Sequence, residues 1–554
     1  MLKRKTVTFQ RTYVSHIEPL NCVNCGTCRD YCPTGAIEEH QREICRICPD
    51  CTDRSAMSVD QMKEFTTKQA CTTACPLGIS PQGYIGLTRV GRTTQALEHI
   101  WRHNPLPSVC GRICHHPCEQ DCKRGVLVDE PISIRGIKRY LSDNVELPVT
   151  PYPQVHEEKI AVIGAGPAGL TAAHYLLLMG YRVVVFEESD VPGGMMYRAI
   201  PEFRLARDAM FKDVENLQKM GMDIRYNSKV DAACMEDLLK EYDAVVVAAG
   251  RKQGRMLNCE GASKTDIVSA LDYLDQINNK DKAGIAFDKK YYKDHPNVVV
   301  VGGGDVAMDC ARTAIRLGAK SVTAVCMETG EDVPGHAWEI ADAEAEGAML
   351  EPGWAPVSFP GKGKAVSAIT VCKCESSRDA FGKLSFQMDE TSTRTLDADQ
   401  VILAIGQASE DFWSAYDNND KVFFAGDIRS PICSVVDGMA SGKAAAHTID
   451  NKLQGRDLKD PLALRVLNAA PIAEKIYPAT RLRIDRPEMP VQDEKKRVRN
   501  FKEVEGAFKE EIVNAETWRC LRCGYQISDP KKCIGCGVCM EVCPKGDVIT
   551  MVAV

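Results

Sequence analysis

The sequence contains no hydrophobic run long enough to cross a membrane. Its apolar stretches, such as "NVVVV" at 297–301, are strand-length, far short of the ~20 residues a span needs. After the opening "MLKRKTVTFQ", polar residues stand where a secretory leader would carry its apolar core, so no export signal and a cytoplasmic location are expected. There is no basic excess either. The 69 Lys and Arg against 76 Asp and Glu leave a formal net charge of −7, which gives nucleic acid no footing. No nucleophile beside a base, no amidotransferase motif and no molybdenum-type motif is evident, so the chain shows no substrate site of its own. With 44% hydrophobic and 26% charged residues over 554 positions, it reads as a soluble globular chain of three or four domains.

Cysteine is what the sequence has in excess. Of 26 cysteines, thirteen precede residue 123 and six follow residue 519. Dense cysteine without an export signal points to metal rather than to a disulfide frame. "KKCIGCGVCMEVCP" (531–544) spaces Cys533, Cys536, Cys539 and Cys543 as C-x2-C-x2-C-x3-C-P. "NCVNCGTCRDYCP" (21–33) repeats that spacing with Cys22, Cys25, Cys28 and Cys32. This is the iron–sulfur cubane pattern, in which the fourth cysteine serves the other cluster of a two-cluster ferredoxin. Four-cysteine zinc sites usually appear as two separated C-x2-C knuckles, so iron–sulfur is favoured.

The ligand count is uneven. Cys32 with Cys45, Cys48 and Cys51 would complete one cluster and leave Cys22, Cys25 and Cys28 one short, to be closed by Ser55 or a distant cysteine. The last module, with Cys520 and Cys523 added, has enough for one cluster but not two. Two such cages on separate modules suggest two docking faces or one long electron path.

Between the cages lies α/β texture. "KIAVIGAGPAGL" places Gly164, Ala165, Gly166, Pro167, Ala168 and Gly169 as G-x-G-x-x-G between a strand and a helix, with Glu187 ending the next strand. Glycines there permit the tight turn and bring backbone N–H groups to a pyrophosphate, while the acid reaches a ribose. "NVVVVGGGDVA" repeats the device with Gly302, Gly303, Gly304, Asp305 and Ala307. "VFFAGD", ending in Gly426 and Asp427 ahead of a helix start near Val436, reads as the second half of a flavin site, the helix dipole facing the ring. Two dinucleotide sites suggest one nucleotide held and one exchanging. No C-x2-C lies in the nicotinamide region, which argues against a thioredoxin-reductase-like dithiol; the seven scattered cysteines, Cys310 among them, read as packing.

These motifs, with "VPGGMMYRAIPEFRL", "VVVAAG" and "VILAIGQ", resemble the glutamate synthase small-subunit family. That family extends to flavoprotein subunits of ferredoxin-dependent NAD(P) transhydrogenases and to the flavin half of dihydropyrimidine dehydrogenase. The likeness covers roughly residues 65–455. It implies a two-dinucleotide-binding, Rossmann-like α/β flavoprotein with FAD at the first site and a nicotinamide nucleotide at the second. It adds Gly194, Arg204, Val230, Gly250 and Gly406 to the cofactor contacts. "NPLPSVCGRICHHPCEQDC" is similar to the family's helical iron–sulfur domain, implying cluster ligands among Cys71, Cys75, Cys110, Cys114, Cys118 and Cys122. The family's C-x2-C just upstream is absent, and its Gln/Glu ligand position holds Lys138, which cannot ligate while protonated. One cluster is therefore expected to be lost or completed by cysteines of the N-terminal extension. His115 and His116 are expected to be solvated surface residues rather than donors to cluster sulfurs.

The expected organisation is a ferredoxin-like iron–sulfur extension (1–60), a helical iron–sulfur domain (61–150), FAD-binding segments (151–290 and 406–455) around an NAD-binding domain (291–405), a linker (456–510) and a C-terminal ferredoxin-like module (511–554). Where NADPH-using members of the family carry an arginine pair after the second nicotinamide-domain strand, this chain has Met327 and Glu328. NAD(H) is therefore expected over NADP(H), alongside FAD and three to four 4Fe–4S clusters. The resulting reading is an electron-transfer subunit of a larger redox complex, with a ferredoxin or another redox subunit as partner; bifurcation is allowed by resemblance only. The alternatives are a glutamate synthase small subunit, which needs no ferredoxin-like appendages, and a structural subunit with relic nucleotide sites, against which the intact glycine turns speak.

Overall fold

The apolar runs at 159–163, 182–186, 244–247, 297–301, 321–326, 400–403 and 422–424 all become strands of two parallel sheets. The computed structural model describes residues 13–17, 27–30, 32, 36–41, 70–279, 291–292, 296–379, 383–429, 434–455, 484–521, 524–528, 538–544 and 548–553. The first sheet is ordered Val422–Phe424, Ala244–Val247, Lys159–Ile163, Arg182–Phe186, Asp223–Arg225. The second runs Met349–Pro352, Ser321–Cys326, Asn297–Val301, Gln400–Leu403, Ile267–Ser269. Their continuous Val/Ile composition suits strands covered on both faces. Val298, Val299, Val300 and Val301 are accordingly all buried.

The first sheet takes four strands from before the second sheet and one from after it, so the second is an insertion. The chain crosses between them twice, and the crossings pair with each other: Gln253–Gly254 runs antiparallel to Gln407–Ala408. A three-stranded antiparallel sheet (Trp354–Ser358, Ala368–Arg378, Leu384–Asp397) flanks the inserted unit. Its alternation did not stand out in the sequence, because the Leu384–Asp397 strand is mostly exposed and polar.

The helices Pro167–Leu178 and Val435–Leu453 pack at backbone distance, which glycine makes possible. A Cβ on Gly442 would stand 2.1 Å from the Ala168 carbonyl oxygen. The core beneath them continues into the helical domain, joining Leu170, Leu176 and Ile449 to Leu87, Ile100, Ile137 and Leu141. Tyr175 Oη donates to the His103 carbonyl at 3.1 Å across this junction.

The expected linker is, in its described part, a strap. Arg135 makes two 2.7 Å bonds to Glu505, Val504 N donates to Phe203 O, and Arg497 pairs with Glu346 at 3.0 Å. Residues 484–508 thus bind the helical domain and both nucleotide units. A linker was expected here, but Arg486, Arg497, Glu503 and Glu505 of this stretch are paired with specific partners.

The expectation of two separate terminal modules is also corrected. Strand Tyr13–Ile17 pairs antiparallel with Ile549–Ala553, and Ile37–Gln41 with Gly524–Ser528. Ile17, Cys28, Ile37, Cys539, Val548 and Ile549 share one small core, with Cys32 and Cys543 packed against it. Each strand alone is a five-residue edge with unsatisfied backbone groups, so the two ends satisfy one another. Neither near-repeat could reveal its partner, because each resembles a self-sufficient motif.

A chain ending at residue 521 should therefore lose order at its other end. Limited proteolysis with mass spectrometry should show cleavage within residues 13–41 at rates well above those of the intact chain. Equal protection of that segment in both would contradict the pairing.

Candidate functional site

The first glycine turn opens onto a cleft of about 480 Å³, within the range of ligand sites. Gly164 has φ +99, and a Cβ there would meet the Ala248 carbonyl oxygen at 2.6 Å; on Gly169 it would lie 1.9 Å from the Gly164 carbonyl oxygen. Strand, turn and helix are thereby locked together, with the N-terminus of Pro167–Leu178 facing the cleft. Glu187, buried at the end of its strand, accepts from Ala165 N at 2.7 Å and from Ser189 N at 2.9 Å. This holds its carboxylate at the turn.

Gly166, Pro167, Ala168, Gly194, Val230, Gly250, Gly406, Gly426 and Asp427 line the same cleft. Burial pushes the Asp427 carboxyl up to about 6, opposed by Arg251. Gly166 and Gly194 face each other with only hydrogens between their Cα atoms, a Cβ on Gly194 falling 3.0 Å from Gly166 Cα. That narrow channel beside a helix N-terminus fits a dinucleotide pyrophosphate, and the residues present fit FAD. Two expectations change here. Val436 is buried in the core, and Ser434, Val435 and Gly438 face the cleft instead. Arg204 reaches the cleft wall, but its guanidinium is taken by Asp309 at 2.8 Å and Glu339 at 2.5 Å. It clamps the two nucleotide units together.

At the second turn Gly302 has φ +137, where a Cβ would meet the Ala404 carbonyl oxygen at 2.4 Å; on Gly303 it would strike Cys326 Sγ at 2.8 Å. Ala307 is buried against the sheet. Asp305 is engaged by His336, through N at 2.8 Å and Nδ1 at 2.6 Å. Glu328 follows the strand Ser321–Cys326 and is half-buried. Two cations that line the cleft are occupied: Arg251 Nε donates to Asp427 O at 2.7 Å, and Lys252 pairs with Glu188 at 2.7 Å.

Eleven of the described cysteines fall into three groups, and Cys234, Cys259, Cys310, Cys326, Cys372 and Cys374 stand apart from them. Cys75, Cys110, Cys114 and Cys118 surround the ammonium of Lys138 on the Ile134–Asn144 helix. Burial alone would lower the Lys138 pKa, but negative charge on these sulfurs, Cys114 first, raises it. Cys75, Cys110, Cys114 and Cys118 carry no disulfide. Four sulfurs around one buried cation fit a cysteine-ligated cubane, whose negative charge an ammonium would offset. Lys138 thus stands where the resemblance implied a ligand, and would supply charge there instead. Cys71, Cys122 and Cys520 form the second group, lining one pocket. Cys28, Cys32, Cys539 and Cys543 form the third, in the joined terminal module. Cys22, Cys25, Cys45, Cys48, Cys51, Cys523, Cys533 and Cys536 lie outside the described residues.

His115 and His116 are only partly solvated. They are half-buried, His115 stacking on His336 at 5.8 Å and His116 against Trp338 at 4.9 Å. Burial takes the His116 pKa down to about 4. His116 N donates to Cys114 Sγ at 3.4 Å, so it is the backbone, not the ring, that meets sulfur. Sequence reading missed this seam because His336 and Trp338 lie over two hundred residues away.

Residues 158–411 match the family described as pyridine nucleotide-disulphide oxidoreductase. Residues 63–147 match the 4Fe–4S cluster domain II of dihydropyrimidine dehydrogenase, and residues 16–38 and 527–547 match the 4Fe–4S binding domain. The beta subunit of an NADP(+)-dependent formate dehydrogenase from Moorella thermoacetica is 32% identical, over 83% of this chain and 71% of its own length. The beta subunit of an NADPH–Fe(3+) oxidoreductase from Geobacter sulfurreducens is 34% identical, over 61% of this chain and 50% of its own. The small chain of glutamate synthase [NADPH] from Azospirillum brasilense is 33% identical, over 68% and 85%. Among the described residues no helix is long and apolar enough to cross a membrane. With two dinucleotide turns around one cleft and a cysteine-bearing helical domain against it, the chain belongs to the glutamate synthase small-chain-like family of FAD- and NAD(P)-linked iron–sulfur oxidoreductase subunits.

Proposed function

We propose that this chain exchanges hydride with NAD(H) and passes single electrons through its iron–sulfur clusters to a partner oxidoreductase subunit or a ferredoxin. Bound FAD supplies the conversion between two-electron and one-electron chemistry. The observation that carries the reading is the position of Cys114. Its two neighbours in sequence, Ile113 and His115, both line the cleft that holds the first glycine turn and Asp427. The Lys138-centred cysteine group therefore abuts the flavin site. The terminal module lies beyond it, with Arg92 between two helices of the helical domain donating to the Pro544 carbonyl.

The likeness to the glutamate synthase small chain supports a second reading, in which the partner is an amidotransferase-bearing subunit. The joined terminal module favours the first, because delivery to such a subunit does not call for a further ferredoxin-like unit. Reduction of a low-potential ferredoxin by NADH through the purified chain is the discriminating assay; failure to reduce any one-electron acceptor would end the first reading.

Nucleotide choice rests on Glu328. A carboxylate there can accept from both ribose hydroxyls and repels a 2′-phosphate. Arg378, whose neighbour Ser376 bonds Thr329, is engaged by Asp332 at 2.6 Å. The relatives named for NADPH make this a point on which the chain is proposed to differ. Stopped-flow bleaching of the flavin should be faster with NADH than with NADPH. Glu328→Arg should move the ratio toward NADPH by about ten- to hundredfold, the effect of ~1.5–3 kcal/mol for a charged hydrogen bond. Equal or better reduction of the unaltered chain by NADPH would refute the assignment.

Electron exit is proposed through the terminal module. Cys539→Ser should remove a low-potential signal in electron paramagnetic resonance and slow ferredoxin reduction, with bleaching of the flavin by NADH unchanged. An unaltered iron content would remove Cys539 from the ligands.

Flavin retention should depend on Asp427. Asp427→Ala should lower the FAD recovered per chain, read from the absorption spectrum after gel filtration. Full retention would show that the carboxylate makes no contact with the cofactor.

A further inference from the structure

Cys520 lies between the two matched iron–sulfur segments, which end at residue 147 and resume at residue 527. It belongs spatially to neither end of the chain's ferredoxin-like module. It caps the Glu510–Arg519 helix and packs against the core of the helical domain. There it lines one pocket with Cys71, on the Ala70–Ala74 helix, and Cys122, which precedes the Lys123–Leu127 helix. We propose that Cys71, Cys122 and Cys520 are ligands of one 4Fe–4S cluster, an iron–sulfur site assembled from sequence positions about 400 to 450 apart.

Three observations support it. The first is convergence: three cysteines from three separate segments meet in a pocket otherwise walled largely by carbon, including Ile85, Ile132, Ile134 and Leu521. Among the described residues no three metal-binding side chains approach closely enough to share a single ion. A tetrahedral zinc would require that closeness at ~2.3 Å per thiolate, whereas cubane ligands sit on separate irons and stand farther apart.

The second is the environment of Cys122. Backbone N–H groups of Ile132, Arg124 and Gly125 are directed at its sulfur. Amide donors near a sulfur suit a cluster-bound ligand.

The third is how Cys520 is held. Arg519, its immediate neighbour, is 1% exposed. It bonds Glu516 at 2.9 Å, Asp129 at 3.1 Å and the Glu130 carbonyl at 2.9 Å. Arg124, two residues after Cys122, bonds Asp129 at 2.6 Å and the Arg519 carbonyl at 2.6 Å. Glu516 in turn accepts from Ser133 N at 2.7 Å. This buried network costs desolvation that packing alone would not require; its geometric result is to fix Cys520 beside Cys122.

In sequence, residues 61–70 carry no cysteine that could close this site from the near side. The site would stand between the Lys138-centred group and the terminal module, since Cys520 precedes the strand Gly524–Ser528 by four residues.

The test uses the full chain, purified anaerobically. Cys520→Ala should lower iron and acid-labile sulfide by about four each per chain, one cubane, and remove one signal from the reduced spectrum, with FAD content kept. Iron and sulfide at the level of the unaltered chain would overturn the proposal. So would a zinc signal that disappears with the variant while sulfide stays constant.

Should the variant lose FAD as well, the unaltered chain decides. In the cluster-loaded protein Cys71, Cys122 and Cys520 should resist alkylation, and chelation of iron should expose all three together by peptide mass spectrometry. The exposed Cys234 provides the reference rate. Alkylation of Cys520 at the Cys234 rate while Cys71 and Cys122 stay protected would equally overturn it.

Discussion

The buried salt-bridge network of Arg124, Asp129, Glu516 and Arg519 sets where the distant end of the chain returns, and much of the architecture follows from that return. Arg519 and Glu516 are each 1% exposed, so neither could be buried without the other. Removing one partner from such a pair typically costs ~3–5 kcal/mol, because the remaining charge is stranded, while an apolar replacement of the whole set is often neutral. Stability alone therefore does not explain the network. Its value is positional: it admits one register of the Glu510–Arg519 helix against the helical domain, and that register carries Cys520 to Cys122.

A second clamp of the same kind joins the nucleotide units. Arg204 extends from the flavin side to Asp309 and Glu339 on the inserted unit, while Arg312 and Arg316 meet Glu346 in full burial. The strap contributes Arg497 to that same carboxylate. Two parallel sheets joined by only two crossing strands would otherwise be free to hinge. The ion pairs set their relative orientation. The histidine seam (His115, His336, Trp338) carries the same constraint into the cysteine-bearing helices. Flavin side, nicotinamide side and cluster domain are thus tied at their common corner, where the two turns and Cys114 lie.

What the sequence made legible was local. The glycine turns at 164–169 and 302–307 could be read because strand, glycine spacing, helix and acid lie within some thirty residues, and each physical requirement leaves its mark in order. The seven buried strands were readable for the same reason. What could not be read was pairing at long range. Cys520 beside Cys122, Val504 beside Phe203, and Tyr13–Ile17 beside Ile549–Ala553 leave no periodicity behind. The differences at Val436 and Arg204 are of a finer sort: a helix start is read only to within one or two residues, and one residue exchanges Val436 in the core for Val435 on the cleft, while Arg204 does line the cleft but has its guanidinium paired with Asp309 and Glu339. The charged stretch 484–508 misled because a solvated spacer and a strap of specific ion pairs have the same composition.

The joining of the two termini looks costly until the order of assembly is considered. Closing a loop of more than 500 residues from an unfolded chain costs roughly 6 kcal/mol of entropy on the logarithmic law, and the reward is only two five-residue strand pairs and a small core. Once the central body is folded, the requirement shrinks. The C-terminal half is already held by Cys520 and the Arg519 network a few residues before its first strand. The N-terminal half needs only the stretch 42–69 to reach back from the helical domain, a closure of roughly 3 kcal/mol. The same buried network that places Cys520 therefore halves the cost of building the terminal module. Capture of the Glu510–Arg519 helix by the helical domain therefore favours assembly of the module on the body from which it would receive electrons.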